Sequence, residues 1–172
     1  MTENKRQLFI GVNEESFQSD KINRVIQNLK AQFEITFFQD DNRRIRRGKA
    51  KTYEQDNPAD VFLFLPLTGE ELSKLANGLM DTTKLKTASD VMAQNRPVVI
   101  AIFTEDALSL NGNNLMKLMV TKNIYFVPFY QDDPINHPNR LVADFDRVFD
   151  TILYALKGKQ IQPIIIAREK GD

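Results

Sequence analysis

The stretch from Ala59 to Asp81 constrains the chain most. Val61 to Leu67 is a continuous apolar run, not an alternating one, so it predicts a strand buried on both faces, ended by Pro66. Leu72, Leu75, Ala76 and Leu79 then recur at helical spacing, which predicts a helix packed back on the sheet. Thr68 and Glu71 stand where a capping box needs them, as N-cap and third helical residue. Strand, tight turn and helix follow one another with no spare residues. In open α/β sheets such turns form the ligand-binding rim, beyond the carboxyl ends of the strands.

The rest of the chain repeats this grammar. Gln7–Val12 reads as a first strand, and Gly11 to Ser16 as the turn that leaves it. Ile22, Val25, Ile26, Leu29 and Phe33 form a helical stripe behind a Ser19 or Asp20 cap. Glu34–Phe38 is a second strand, and a polar connection leads from it to the opening unit. Thr82 or Thr83 caps a further helix with Leu85, Ala88 and Met92 inward. Pro97–Phe103 is a fourth strand. Thr104 to Asn114 is a long polar turn, before a short helix marked by Leu115, Leu118 and Met119. Ile124–Phe129 reads as a fifth strand, Phe145 to Leu156 as the last helix, and Ile161–Ile166 as a sixth strand or none, because Pro163 cannot donate to a ladder. Alternation of this kind predicts one Rossmann-like three-layer α/β/α sandwich over residues 1–172, with a mainly parallel sheet of five or six strands. The phenylalanines of the second, third and fourth strands read as core, while Tyr125 and Phe129 are ambiguous.

Several chemistries are excluded. The first turn has a single glycine, so it is no G-x-G-x-x-G dinucleotide fingerprint, and no P-loop exists anywhere. There is no cysteine, and the one histidine, His137, precedes a proline in a polar loop; a metal site built from Cys and His and a thiol nucleophile are ruled out by count. Lys+Arg and Asp+Glu are both 23, so no net field favours nucleic acid or an anionic membrane. Without a leader-like start, and with no apolar run near the roughly 20 residues of a membrane helix, the expected setting is cytoplasmic.

Three blocks carry a resemblance: Pro66–Asp81 (PLTGEELSKLANGLMD), Asn95–Pro134 (NRPVVIAIFTEDALSLNGNNLMKLMVTKNIYFVPFYQDDP) and Gln160–Ile166 (QIQPIII). In these the chain resembles the FMN-dependent flavoprotein family that includes cysteine decarboxylases and the B-type subunit of dipicolinate synthase, with the closest likeness to the B-type branch. The resemblance implies FMN as cofactor and a homo-oligomer. It also implies a redox role beside a dehydrogenase-like partner, the A-type subunit of dipicolinate synthase, in making a spore constituent. By position it implies cofactor-binding residues Gly11, Asn13 and Ser16 on the first turn, with the phosphate there. Pro66, Leu67, Thr68 and Gly69 follow on the third, and Thr104, Asp106, Ala107, Asn111 and Asn114 after the fourth strand. It names no catalytic residue.

Against that pattern stand three acidic pairs, Glu14/Glu15, Glu70/Glu71 and Glu105/Asp106, each on one of these turns. Glu14 and Glu15 replace the family's Gly-Ser, and carboxylates repel a phosphate. The second reading is therefore a cofactor-free paralogue with a binding or regulatory role, its FMN site blocked by Glu14, Glu15 and Glu70. A basic cluster, Arg43, Arg44, Arg46, Arg47, Lys49 and Lys51, reads as a solvated loop, with a substitute phosphate clamp as its functional alternative. Lys74 reads as a surface ion pair.

Overall fold

The structure, a computed structural model, describes residues 4–40 and 58–167. The basic cluster at 43–51 lies outside the described residues.

The elements run β1 (Arg6–Val12), α1 (Asp20–Gln32), β2 (Phe33–Gln39), β3 (Val61–Leu67), α2 (Gly69–Ala76), α3 (Thr83–Ala93), β4 (Val98–Thr104), α4 (Gly112–Met119), β5 (Ile124–Phe126), β6 (Phe129–Tyr130), β7 (Leu141–Ala143) and α5 (Val148–Leu156). Single 3₁₀ turns, Glu14–Gln18 and Phe145–Arg147, precede α1 and α5. The strand order is β2-β1-β3-β4-β7-β6, with β5 also paired to β4. β2, β1, β3, β4 and β5 are parallel, whereas β7 joins β4 and β6 joins β7 antiparallel.

The sheet has a core on each face, as a doubly wound fold requires. On one side Phe62, Phe64 and Leu67 of β3 and Val98, Ile100 and Ile102 of β4 pack under Leu72, Leu75, Leu85, Ala88, Leu115 and Leu118 of α2, α3 and α4. On the other, Leu8, Ile10, Leu63 and Val99 pack under Ile22, Val25, Ile26 and Leu29 of α1 and Val148 and Ile152 of α5. Alternate residues of one strand thus serve opposite layers, and the runs of β3 and β4 are apolar throughout because both faces are covered.

The structure corrects four expectations. Phe33 opens β2 rather than closing α1; its backbone is already extended, and only its burial was legible from the helical stripe. α2 stops at Ala76, because Asn77 caps it and Gly78 takes φ of 72°; Leu79 therefore points to solvent. Pro66 does not end β3, which runs on through Leu67 with a register shift against β4 between Phe64 and Leu67. The expected fifth strand breaks at Val127–Pro128 into β5 and β6, and β6 turns to pair with the unanticipated β7, making the sheet mixed and seven-stranded. For 161–166 the strandless alternative holds: the segment forms one bridge, Phe129 to Ile165. Here Gln160 does a strand's work: its side chain accepts from the Phe126 N–H at 2.8 Å and donates to the Phe126 carbonyl at 2.7 Å.

Among the described residues no helix is long and apolar enough to cross a membrane.

Candidate functional site at the carboxyl rim

The turns after β1, β3 and β4 lie along one edge of the sheet, and side chains stitch them together. The β3–α2 turn follows its sequence signature. Thr68 Oγ1 accepts from the Glu71 N–H at 3.3 Å, and Glu71 Oε2 accepts from the Thr68 N–H at 2.9 Å. The box leaves Glu71 Oε1 free to turn inward, where it meets the Lys84 ammonium.

Lys84 is the residue that the sequence reading missed. It sits in the first turn of α3 with 1% of its surface exposed. Its ammonium contacts Glu71 Oε1, donates to Asn13 Oδ1 at 2.5 Å and lies 3.8 Å from Asp40 Oδ2. Asp40 Oδ1 also accepts from the Lys84 backbone N–H at 3.2 Å. One cation thus ties the first turn, the start of α2, the start of α3 and the end of β2. A signal existed: Lys84, Ala88 and Val91 share one helical stripe, and all three are buried. A lysine on such a stripe must bury its stem and find a carboxylate for its head.

The first turn is closed by its own groups. Ser16 Oγ accepts from the Asn13 N–H at 2.9 Å and donates to the Leu65 carbonyl at 3.1 Å, and Ser16 is buried. A Cβ on Gly11 would lie 3.1 Å from Lys84 Cδ and 3.2 Å from the Phe62 ring. Gly11 is therefore a glycine because the lysine stem and the ring cross above it, not because open space is held there.

The β4–α4 shoulder is built from amides. Asn111 Nδ2 donates to the Gly69 carbonyl at 2.9 Å and to Asp106 Oδ1 at 3.0 Å. Asn114 donates to Asn111 Oδ1 at 2.8 Å, and Asn77 to Asn114 Oδ1 at 3.0 Å. A Cβ on Gly69 would come within 2.7 Å of Asp106 Oδ1, so the close approach of this carboxylate requires glycine at the first position of α2. Ala107 is fully buried in the α2–α4 core. Thr104 is the exception. It continues the Val98–Ile100–Ile102 face of β4, it is buried, and its Oγ1 has no hydrogen-bond partner among the described residues.

The expected site residues are thus brought to one rim, but the three acidic pairs do not converge. Glu14 and Glu15 are exposed on the 3₁₀ turn. Glu70 points outward and pairs with Lys74 at 2.8 Å, the surface ion pair the sequence suggested. Lys74 also bonds Asp81, and these hydrogen bonds raise its pKa above the ordinary lysine value. Glu105 turns away to Arg140 and to His137 Nδ1, both at 3.3 Å, while Asp106 turns in to Asn111. Phe103 is not core: it is 40% exposed, with the Arg140 guanidinium 5.9 Å from its ring centre. Arg140 forms a bidentate pair with Asp132 at 2.8 and 2.7 Å. Burial pushes the Asp132 carboxyl up, but the guanidinium outweighs it and holds the group below the usual carboxylate value.

Tested against these residues, FMN fits one half of the rim. The shoulder offers a buried hydroxyl that no described residue engages. The first turn does not fit the phosphate: the Asn13 N–H and the Ser16 hydroxyl are engaged within the chain, and a lysine stem covers Gly11.

Comparison with known proteins agrees with this architecture. The B-type dipicolinate synthase subunit of Bacillus subtilis (strain 168) is 48% identical over 124 residues, 72% of this chain and 62% of that protein's length. The chain thus matches under two-thirds of that relative. The crystal structure of the B-type dipicolinate synthase subunit from Bacillus halodurans C superposes with a TM-score of 0.82 at 29% identity, over 95% of this chain and 97% of that one. The FMN-dependent cysteine decarboxylase SpaF shares the fold, with a TM-score of 0.56 at 20% identity over 89% and 97% of the two chains. The model of the family described as Flavoprotein matches residues 5–146, and the chain belongs to the Flavoprotein family.

Proposed function

We propose that this chain is the B-type component of a dipicolinate-synthase-like assembly, associating with itself and with a dehydrogenase-like A-type partner. The observation that carries the reading is the surface of the β4–α4 shoulder. Leu108, Leu110, Met116 and Val120 are half or more exposed there, Leu110 to 92%. Met116 and Val120 stand four residues apart, on one side of α4 and its end. Large apolar side chains gathered on one shoulder mark a protein contact rather than a solvent face. They also fall within the stretch that carries the likeness to the B-type relatives.

The protein works through its fold and surface. Its first turn opposes the FMN redox role that the resemblance implies. The test is co-expression with an A-type dipicolinate synthase component, followed by affinity capture and size-exclusion chromatography. Co-elution that is lost in L110E/V120E, with circular dichroism unchanged, supports the reading. Separate elution of the native chain at micromolar concentration counts against it.

A further inference from the structure

We propose that the Lys84–Glu71–Asn13 knot is an internal substitute for a bound phosphate, and that it closes the cleft of this chain to FMN. Phosphate-bearing cofactors of doubly wound sheets place the phosphate at the turn after the first strand, on free backbone N–H groups at a helix N-terminus. Here that turn is a 3₁₀ turn, Glu14–Gln18, and α1 begins only at Asp20 under its own Ser19 cap, which accepts from the Ile22 N–H at 3.4 Å. The Ser16 N–H is engaged by the Asn13 carbonyl at 3.0 Å, and the Asn13 N–H by the Ser16 hydroxyl. These two N–H groups of the turn are thus spent on the chain's own oxygens rather than held for an anion.

The knot is fixed rather than adaptable. Glu71 cannot swing off Lys84 without breaking the capping box, because its other oxygen accepts from both the N–H and the hydroxyl of Thr68, at 2.9 and 3.2 Å. Lys84 cannot swing out without uncovering the face of Gly11 that its stem approaches. The ammonium is matched by a buried carboxylate, so an incoming phosphate meets a neutral pair instead of a waiting cation. Glu14 and Glu15 are exposed and solvent-screened, so they are the weaker obstacle despite standing out in the sequence. The knot is intrachain, so this inference stands whether or not the partner proposed above is found.

The experiment titrates the purified full chain with FMN and, in parallel, with riboflavin, which lacks the phosphate. Binding is read by flavin fluorescence quenching and anisotropy. Three proteins are compared: native, E14G/E15S and K84A/E71Q. Gln at position 71 preserves the capping box, and Ala at position 84 uncovers Gly11. Native chain and E14G/E15S are expected to show no saturable FMN binding. K84A/E71Q is expected to gain FMN affinity by at least about tenfold, equivalent to 1.4 kcal/mol, with a smaller gain for riboflavin. Saturable FMN binding by the native chain overturns the proposal on its own, even if the double variant does not fold. So do a gain in E14G/E15S alone, an equal gain for both flavins, and no gain in a K84A/E71Q protein with native circular dichroism.

Discussion

Two neighbouring parts of the same rim solve the problem of buried polarity in different ways. At the first turn a lysine and a glutamate enter the protein together, and an asparagine and an aspartate complete the shell. At the β4–α4 shoulder the inner network runs instead through asparagine amides to Asp106 and the Gly69 carbonyl. The charged end engages the ammonium, the Asn13 N–H and the Ser16 hydroxyl. The amide end leaves the Thr104 hydroxyl without a partner among the described residues. A ligand that needs an unsatisfied polar group would therefore find it at the shoulder, and would find the first turn already occupied by the chain itself.

The sharpest way to break this contrast is to halve the charged pair. K84M leaves Glu71 buried without its cation and should cost about 3–5 kcal/mol in urea unfolding. E71Q/K84M removes both charges and keeps the volume, so most of that loss should return. If the single and double variants unfold alike, the pair is not a coupled unit. At the shoulder, N111A should cost about 1–3 kcal/mol, because Asn111 is buried and holds α2 to the segment before α4. An unchanged urea midpoint would mean that water replaces the amide freely. T104V should go the other way: removing an unpaired buried hydroxyl at nearly constant shape should be neutral or stabilising by up to about 1 kcal/mol. A clear loss would show that Thr104 has a partner in solution.

Smaller effects are expected at the outer edge of the shoulder, where Arg140 holds Asp132. The Asp132 carboxyl titrates lower in the folded chain than in the unfolded one. Its contribution is therefore present above the unfolded value of about 3.9 and is lost as pH falls through the lower folded value. The stability difference between native chain and R140Q should be steady near neutrality and shrink as the pH drops below about 4. A difference that grows with acid would contradict the pairing. E70Q should be nearly silent, within about 0.5 kcal/mol, since Glu70 is 76% exposed in its pair with Lys74.

What was legible in the sequence follows the same physics. The strand and the helix start of the β3–α2 unit were legible because their signals are local, an unbroken apolar run and a capping box from Thr68 to Glu71, whereas the unit's ends at Leu67 and Ala76 are set by pairing and by the turn at Gly78. Gly69 and Asn111 reached the candidate site through the family resemblance, but their contact, 42 residues apart in sequence, is a tertiary fact. β7 was invisible because three residues pair only where β4 and β6 meet them. Position along the chain groups the acidic pairs, but it does not give the direction of each carboxylate. Side-chain direction divides each of the latter two, one carboxylate outward and one inward, while Glu14 and Glu15 both face solvent. Lys84 stood on a buried stripe beside Ala88 and Val91, yet a lysine is read as solvent-facing by default.

The most direct measurement is the visible absorption spectrum of the native protein as purified, followed by thermal unfolding with and without excess FMN. A ligand held only by the folded state stabilises it by about 2.7 kcal/mol at a hundredfold excess over Kd, a shift that is easily resolved. A first turn closed by Lys84 predicts colourless protein and an unmoved melting temperature. Yellow protein, or a melting temperature that climbs with FMN, would contradict it and return the chain to the flavin-binding members of its family.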